Sequence, residues 1–255
     1  MMAQAEKILG QGVRKIKLVD IAPDCDIITT GRPIYDLYAL AHNANVLDIG
    51  CGYGRNKKLV ESAGGFWVGL ELFEGGAEII RADAQKLPFC DSVFDVVLAD
   101  AVLEHIPEPG LAFAEISRVL KADGVFVGYA AFMECFHEIS YCHLSFKALE
   151  YFSKKNKMKL EKISGGCRFG IDYHFSVLWY PLAGSRFIRP LLAACIRSTV
   201  FLKSVIAFFA LCLMRHYSSK EAIKLSKLYF KIECLRQSTG YSFFIKKKIA
   251  GNVTC

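Results

Sequence analysis

The sequence contains no CxxC pair among its ten cysteines, which are scattered between positions 25 and 255. Without such pairs, neither a structural zinc site nor a compact disulfide framework is predicted. We expect reduced thiols that behave as small apolar side chains. No internal repeat or low-complexity segment is present either, and a hydrophobic fraction of 53% excludes a generally disordered chain.

Long apolar runs are also missing. Residues 1–20 carry charges throughout and hold no run of signal-peptide length, so they do not predict export. The longest nearly apolar stretch, 198–214, has 17 residues and contains Lys203. It falls short of the roughly 20 residues that span a bilayer. We therefore expect a cytoplasmic protein, and we leave open a peripheral position on the inner membrane face.

Acidic residues are scarce in the last part of the chain. Residues 181–255 contain 13 Lys and Arg but only two acids, whereas residues 1–180 contain 19 Lys and Arg and 23 acids. Because the two parts carry opposite net charges, they are expected to meet different surroundings. The basic part should prefer an anionic partner.

Apolar strand-like segments alternate with helical periodicity through most of the chain. The strand-like segments include VLDIG, FWVGLEL, FDVVLAD and GVFVGYAAF. Several of them are continuously apolar, which is typical of a parallel sheet that is covered by helices on both faces. We expect one α/β domain over 1–255 with a core at 30–165. A helical insertion at 170–238 and a final strand at 240–248 complete it, and a helix is predicted from Phe146 to Lys155.

A glycine loop, VLDIGCGYGRN, follows the first of these strands. A dinucleotide fingerprint requires GxGxxG, but Arg55 stands where the third glycine would fall. A phosphate-binding P-loop requires a GK[ST] ending, which is also absent. Asp48 precedes the first glycine and would repel a pyrophosphate, whereas it suits a cationic ammonium group. Glu71, at the end of the next strand, can accept both hydroxyls of a ribose.

Five segments in this order resemble the class I methyltransferases that use S-adenosyl-L-methionine. They are VLDIGCGYG, VGLEL, RADAQKLPF, DSVFDVVLADAVLEHIPEP and EISRVLKADGVFV. The resemblance implies a Rossmann-like, mostly parallel seven-stranded sheet whose last strand is antiparallel. It implies that S-adenosyl-L-methionine is the cofactor, that the protein is a transferase, and that no metal is needed.

The resemblance also assigns cofactor contacts by position. In this assignment the glycine loop holds the methionine end of the cofactor and the end of the second strand holds the ribose. The segment after that strand contacts the adenine, and a residue just past the fourth strand closes the pocket. The corresponding residues are Asp48, Gly50, Cys51, Gly52 and Gly54; Glu71 and Leu72; Asp83 and Ala84; and Asp100. Because only 11 residues separate Glu71 from Asp83, we expect a shortened crossover.

Methyl transfer is an in-line displacement that needs no covalent residue, although a hydroxyl or acidic carbon acceptor benefits from a general base. His105 is the first candidate base, and His137 and His143 come next. The alternatives remain that His105 only caps a helix and that the other two only shape a substrate loop. Tyr141 is expected to line the acceptor site, and the acceptor is expected to be a small or lipid-linked molecule.

Two basic helices are predicted in the insertion. The first is strongly apolar with a narrow basic stripe, and the second opens with a capping box formed by Ser218 and Glu221. Its lysine stripe is expected to lie opposite its apolar face. The stripe comprises Lys220, Lys224, Lys227 and Lys231, and the apolar face comprises Ile223, Leu228, Phe230 and Leu235.

Several hypotheses about the role of these helices and about the function of the protein stay open. The helices either lie on an anionic membrane, cover the acceptor as a lid, or pack in a dimer. Nucleic acid is not favoured, since no exposed aromatics interleave the stripe, and no oligomeric state is predicted. A non-catalytic cofactor-binding module, a membrane-attached partner subunit and a nicotinamide oxidoreductase are the alternative functions.

Overall fold

The computed structural model describes eight ranges of the chain, and the fold is given for these residues only. The ranges are 24–29, 33–73, 76, 78–133, 139–165, 188–213, 218–236 and 238–248.

One mixed sheet of eight strands organises the chain. Its spatial order is β1-β7-β8-β6-β5-β2-β3-β4, and all pairings are parallel except those of β8. The strands are β1 (Asp26–Ile28), β2 (Asn45–Ile49), β3 (Phe66–Glu71), β4 (Ile79–Arg81), β5 (Phe94–Asp100), β6 (Leu120–Ala131), β7 (Met158–Ser164) and β8 (Gly240–Lys247). This confirms the predicted Rossmann-like α/β fold.

The central strands are buried on both faces, which explains their unbroken apolar sequence. In β5, residues 96–99 are at most 2% exposed, and β5 lies between β2 and β6. Each large apolar side chain buried there contributes about 1.5–3 kcal/mol to folding. Because parallel strands share one carboxyl edge, β2, β3 and β5 all deliver their last residues to the same place.

The last strand is antiparallel, as expected, but the predicted number of seven strands is wrong. β8 pairs antiparallel with β6 and with β7. The additional strand is β1, whose residues Asp26, Ile27 and Ile28 pair parallel with β7 at the edge of the sheet. Three residues beside a turn-like DIAPDCD segment are too few to show a strand period, so β1 is stabilised by its pairing and is not visible as a pattern.

Helices cover the sheet and connect its strands. They are α1 (Leu37–Leu40), α2 (Lys57–Ser62), a short 3-10 helix (Leu103–His105), α3 (Pro109–Val119), α4 (Phe146–Lys155), α5 (Ile188–Leu213) and α6 (Ser219–Arg236). α3 packs on the sheet through Phe113, whose ring meets that of Phe126 edge-on at 5.5 Å between centroids. α4 has the bounds that its helical period predicts.

The connection between β3 and β4 is short, in agreement with the expected crossover. β3 ends at Glu71, β4 begins at Ile79, and Glu71 pairs with Arg81 in parallel register. Most parallel crossovers need a dozen or more residues and contain a helix. The connection between β3 and β4 is shorter, so the end of β3 lies directly beside the segment that follows β4.

The two long helices, α5 and α6, come between β7 and β8 in the chain. The predicted capping box is confirmed: the Ser218 backbone donates to Glu221 at 2.8 Å, and the Glu221 backbone donates to the Ser218 hydroxyl at 3.4 Å. The buried carboxylate of Glu233 on α6 receives Arg236 at 2.7 Å and Lys203 of α5 at 3.7 Å, which ties the helices together. Among the described residues, no helix has the length and apolarity needed to cross a membrane.

Candidate functional site

A cavity of about 270 Å³ opens at the carboxyl ends of β2, β3 and β5. Ligands in open α/β sheets bind in this position, at the ends of the strands where the strand order reverses. The walls of the cavity combine the glycine loop, the end of β3, the segment after β4 and the loop after β5. Its lining includes Gly50, Glu71, Leu72, Asp83, Ala84, Val102, His105, Ile139 and Tyr141.

The glycine loop turns sharply because three residues have positive φ. Gly50, Gly52 and Gly54 have φ of 65°, 57° and 80°, a region that residues with a Cβ adopt only with strain. A Cβ on Gly50 would overlap the Cγ2 of Val102, whereas a Cβ on Gly52 would have no neighbour within 4 Å. The loop therefore exposes backbone to the cavity at Gly50 and leaves open space beside Gly52.

Glu71 ends β3 with its carboxylate fixed above this loop. Its Oε2 accepts from the backbone N–H of Gly52 at 2.9 Å, and its Oε1 accepts from the backbone N–H of Leu72 at 2.9 Å. A carboxylate oxygen can accept two hydrogen bonds, so both oxygens keep acceptor capacity toward the cavity. Leu72 is 46% exposed and also lines the cavity, as its assigned role requires.

Asp83 and Ala84 also line the cavity, and their contact with an adenine stays a prediction. Asp83 Oδ1 accepts from the backbone of Gln85 at 2.8 Å, which forms a tight turn after β4. The Gln85 side-chain amide donates to both Asp83 oxygens, and its Oε1 accepts from the backbone of Glu108 at 3.1 Å. The short crossover is therefore held by a polar network across the cavity floor.

Asp48 lies beneath the loop and not in the cavity wall. It is 2% exposed, and its Oδ2 accepts from Trp67 Nε1 at 3.1 Å and from Asn56 Nδ2 at 3.2 Å. Burial raises the pKa of Asp48 to about 6, although these hydrogen bonds and the nearby Arg55 partly oppose the rise. The Asp48 carboxylate thus supports the glycine loop from below. It does not contact the cavity directly, so it affects a ligand only by its charge and by positioning the loop.

We expect Asp48→Asn to stabilise the folded protein at pH 7.5. A pKa raised from 3.8 to about 6 means that the folded state binds the proton more tightly, so ionised Asp48 costs about 3 kcal/mol. Asn resembles the protonated acid and avoids this cost, and the pKa of about 6 already includes the hydrogen bonds to the carboxylate, so the expected gain is about 2–3 kcal/mol.

Chemical denaturation at several pH values tests this expectation. The wild-type protein loses this part of its stability as pH rises from about 4 to about 6, because the unfolded Asp48 releases its proton first. The advantage of the variant should therefore be absent at pH 4 and complete at pH 7.5. An equal advantage at both pH values would show that burial of the charge is not its source.

Neither Cys51, which lies within the loop, nor Asp100 lines the cavity. Cys51 is buried, and desolvation raises the pKa of its thiol to about 11, so it is an inert packing residue. Asp100, the last residue of β5, forms an ion pair with Arg55 at 2.6 Å. Their side chains are 37% and 64% exposed, and this pair joins the end of the glycine loop to the end of β5.

His105 ends the 3-10 helix and lines the cavity. Its Nδ1 lies 3.2 Å from the carbonyl oxygen of Ile139, which can only accept, so Nδ1 carries the proton in this contact. In the neutral imidazole, Nε2 then carries the lone pair that a general base needs. Tyr141 lines the same part of the cavity, as expected, and is 67% exposed.

His143 is not brought to the cavity. His143 is half-buried, with Nδ1 at 3.3 Å from the carbonyl of Ala131 and Nε2 at 3.3 Å from the hydroxyl of Ser140, and it is absent from the cavity lining. His137 lies outside the described residues. Among the residues that the structure describes, no group of three or more His, Cys, Asp or Glu side chains could hold a metal ion.

Several contributors to the site do not follow from sequence reasoning. Gln85 closes the floor, Trp67 and Asn56 fix Asp48, and Arg55 pairs with Asp100. The turn itself had a signal, since an Asp side chain often accepts from the backbone N–H two residues later, but the contacts of the Gln85 side chain had none. The others depend on contacts across strands, which a linear pattern does not contain. No described residue of α5 or α6 lines the cavity, and their role as a lid stays a prediction.

Residues 47–128 match a family model described as a methyltransferase domain. A sterol 4-C-methyltransferase of Caenorhabditis elegans is 36% identical over 106 residues, which cover 35% of this chain and 32% of that protein. An uncharacterized methyltransferase of Mycobacterium sp. (strain JLS) is 27% identical over 155 residues, which cover 55% of this chain and 62% of that protein. The matches thus span from about a third to under two thirds of the length of these relatives.

Solved structures share the architecture at low sequence identity. The YcgJ protein from Bacillus subtilis is 14% identical, with a TM-score of 0.50 over 84% of this chain and 97% of that chain. A proposed sarcosine dimethylglycine methyltransferase from Galdieria sulphuraria is 15% identical, with a TM-score of 0.50 over 83% of this chain and 82% of that chain. These likenesses establish the fold, and they do not identify a substrate.

Proposed function

We propose that this chain, a member of the class I S-adenosylmethionine-dependent methyltransferase family by its domain at residues 47–128, methylates a small apolar or lipid-linked acceptor. One observation carries the proposal: a single cavity joins the glycine loop, the Glu71 carboxylate and Asp83 to a second wall that contains His105 and Tyr141. The first three groups suit a nucleoside-linked amino acid, and the second wall suits the molecule that is modified.

The residues present fit S-adenosylmethionine. Glu71 presents two acceptor oxygens, which match the two hydroxyls of a ribose. The space beside Gly52 is open where a Cβ would stand, so backbone can approach a ligand there. Of the two acids around the loop, Asp100 is paired with Arg55. Asp48 lies beneath the loop backbone and disfavours a pyrophosphate there, which counts against a nicotinamide cofactor.

When bound, S-adenosylmethionine supplies an electrophilic methyl group on a sulfonium sulfur. The chain has to hold the acceptor in line with that group and exclude water, which can supply most of the rate enhancement. The apolar residues Ile106, Pro107 and Ile139 beside His105 contribute to this exclusion. For a hydroxyl or acidic carbon acceptor, His105 Nε2 would receive the proton that leaves the acceptor.

An apolar acceptor is supported by the same wall. Ile106, Pro107 and Ile139 offer no charge with which to hold a polar substrate. A relative whose domain matches this one is named for a sterol substrate. Transfer from S-adenosylmethionine labelled with tritium in its methyl group tests the proposal, with lipid and aqueous extracts of the source cells as separate acceptor pools.

Label is expected in the organic phase of the lipid reaction, at a level well above a reaction with heat-inactivated protein. Label only in the aqueous pool would contradict the apolar acceptor while leaving the methyltransferase activity intact. Cofactor binding without transfer to either pool would favour the non-catalytic cofactor-binding module instead.

We expect His105→Gln to lower kcat about 100-fold, the low end of the usual contribution of a general base, without changing the Kd for S-adenosylmethionine. Loss of the base slows proton removal, while positioning of the two substrates still supplies most of the rate. His143→Gln is the matched control, because this histidine is absent from the cavity lining and should leave kcat unchanged. An unchanged kcat in both variants would mean that His105 moves no proton.

A further inference from the structure

The outer face of α5 carries an unusual row of large apolar side chains. Leu202, Ile206, Phe209 and Leu213 are 57%, 60%, 59% and 81% exposed. At about 100° per residue, these positions fall within about 60° of one another on the helix. Their direction is nearly opposite to Val200 and Ser204, which are buried. The row therefore faces away from the body of the protein.

A cavity of about 580 Å³ continues this apolar surface into the groove between α5 and α6. From α5 it is lined by Phe201, Val205 and Phe208, and from α6 by Ile223 and Phe230. The wheel positions of the α5 residues adjoin those of the outer row, so the apolar surface is continuous around the helix. We call the row, this groove and the lysines described next the α5–α6 surface.

Lysines border the groove on the α6 side. Lys227 and Lys231 line it directly, and Lys220 and Lys224 extend the same stripe, within about 60° on the helix. All four are exposed, and among the described residues none of them forms an ion pair. The expectation that they lie opposite the apolar face is wrong, because Ile223, Leu228, Phe230 and Leu235 all fall within about 90° of the centre of the stripe. Ile223 and Phe230 line the groove beside the lysines, whereas Leu228 and Leu235 pack on the core.

Negative charge is nearly absent from this surface. Of the two acids on α6, Glu233 is buried and bound to Lys203 and Arg236, and Glu221 is used in the helix cap. The surface is therefore apolar with an uncompensated cationic border. Such a border attracts anions and repels a second copy of itself.

We propose that the α5–α6 surface docks on a bilayer that contains anionic phospholipid. The apolar row would enter the acyl boundary while the four lysines meet phosphate groups, which are the two interactions that hold interfacial helices. A second copy of the chain explains the surface less well. In a two-fold dimer through this surface, the four lysines would meet the same four lysines of the other copy, which is unfavourable. Docking does not depend on the proposed catalysis.

Vesicle flotation of the full chain tests this inference, with vesicles of phosphatidylcholine alone and of phosphatidylcholine with phosphatidylglycerol at 3:1. Wild-type protein is expected to float with the anionic vesicles, to bind the neutral ones at least tenfold more weakly, and to release in 0.5 M salt. Salt acts because lysine attraction to the surface is screened within a short Debye length.

Two variants and two controls separate the apolar contribution to vesicle binding from the electrostatic one. Ile206→Ser/Phe209→Ser and Lys227→Glu/Lys231→Glu should each lower the partition coefficient at least tenfold. The controls change comparably exposed residues elsewhere: Leu111→Ser/Tyr151→Ser, at side chains that are 50% and 59% exposed, and Lys155→Glu/Lys248→Glu. All four should keep the wild-type Tm, which excludes misfolding as the cause.

The proposal is overturned if wild-type protein stays unbound to anionic vesicles, or if the Lys227/Lys231 variant binds as well as wild type. It is also overturned if light scattering shows a dimer that Ile206→Ser/Phe209→Ser converts to a monomer, since a second copy then covers the surface. Cofactor affinity is measured in parallel, so failure of docking and failure of the proposed function give different results.

Discussion

Replacing Glu71 with Ala is expected to weaken S-adenosylmethionine binding about 100-fold. A hydrogen bond to a charged acceptor contributes about 1.5–3 kcal/mol, and Glu71 can accept from two ribose hydroxyls. A loss of about 3 kcal/mol corresponds to about 100-fold in Kd. The carboxylate already stands at the end of β3 with both oxygens fixed by backbone N–H groups, so the free protein need not reorganise to bind.

Calorimetric titration of wild type, Glu71→Ala and Glu71→Gln measures this effect. Gln retains one acceptor oxygen and loses the charge, so it should weaken binding about tenfold. Glu61→Ala is the matched control, because Glu61 is an exposed acid on α2 that forms an ion pair with Lys57. A Kd for Glu71→Ala within threefold of wild type would remove Glu71 from the cofactor site.

Gly50→Ala is expected to destabilise the fold by about 3 kcal/mol and to eliminate cofactor binding. Its φ of 65° costs a residue with a Cβ about 1–2 kcal/mol. The new methyl group would overlap the Cγ2 of Val102 and lie 3.1 Å from its Cγ1. Such overpacking costs about 1–3 kcal/mol more. Relief requires the loop to move, and the loop forms one wall of the cavity.

Thermal unfolding of Gly50→Ala beside Gly52→Ala separates the two contributions. Gly52 has a similar φ of 57° but no atom within 4 Å of a Cβ, so it should lose only the strain, about 1–2 kcal/mol. For a domain of this size, Gly50→Ala should lower Tm by about 10 °C and Gly52→Ala by about 4 °C. Equal losses would show that contact with Val102 does not constrain the loop.

The parts of the fold that sequence predicts are those with strong local signals. The helical period fixes α4 at Phe146–Lys155, the Ser218 and Glu221 spacing fixes the start of α6, and apolar runs fix the central strands. Strand β1 was not predictable, because Asp26–Ile28 is held by its pairing with β7 and has no period of its own. Tertiary contacts decide such elements.

The candidate site also divides into residues that the sequence predicts and residues whose role depends on tertiary contacts. Gly50, Glu71, Asp83 and His105 are recognisable because each follows a strand whose carboxyl end reaches one edge of the sheet. The burial of Asp48 was not predictable, since its two partners come from neighbouring segments of the fold. A sequence shows which acid precedes the glycines, but it does not show whether water reaches that acid.

The α5–α6 surface shows where a helical wheel alone is insufficient. The wheel places the four apolar residues of α6 on both sides of its lysine stripe, but it does not show which of them are packed. The structure buries Leu235 and leaves Ile223 43% exposed beside the lysines. The position of a helix on its neighbours, and not its own pattern, decides which of its apolar residues remain for a partner.

The central claim is that the cavity between β2, β3 and β5 binds S-adenosylmethionine. Isothermal titration calorimetry of the full chain at pH 7.5, with S-adenosylmethionine and with NAD, tests it most directly. One binding event per chain with S-adenosylmethionine, and none with NAD, is the predicted result. Absence of heat with S-adenosylmethionine at millimolar concentration, or preferential binding of NAD, would contradict the assignment.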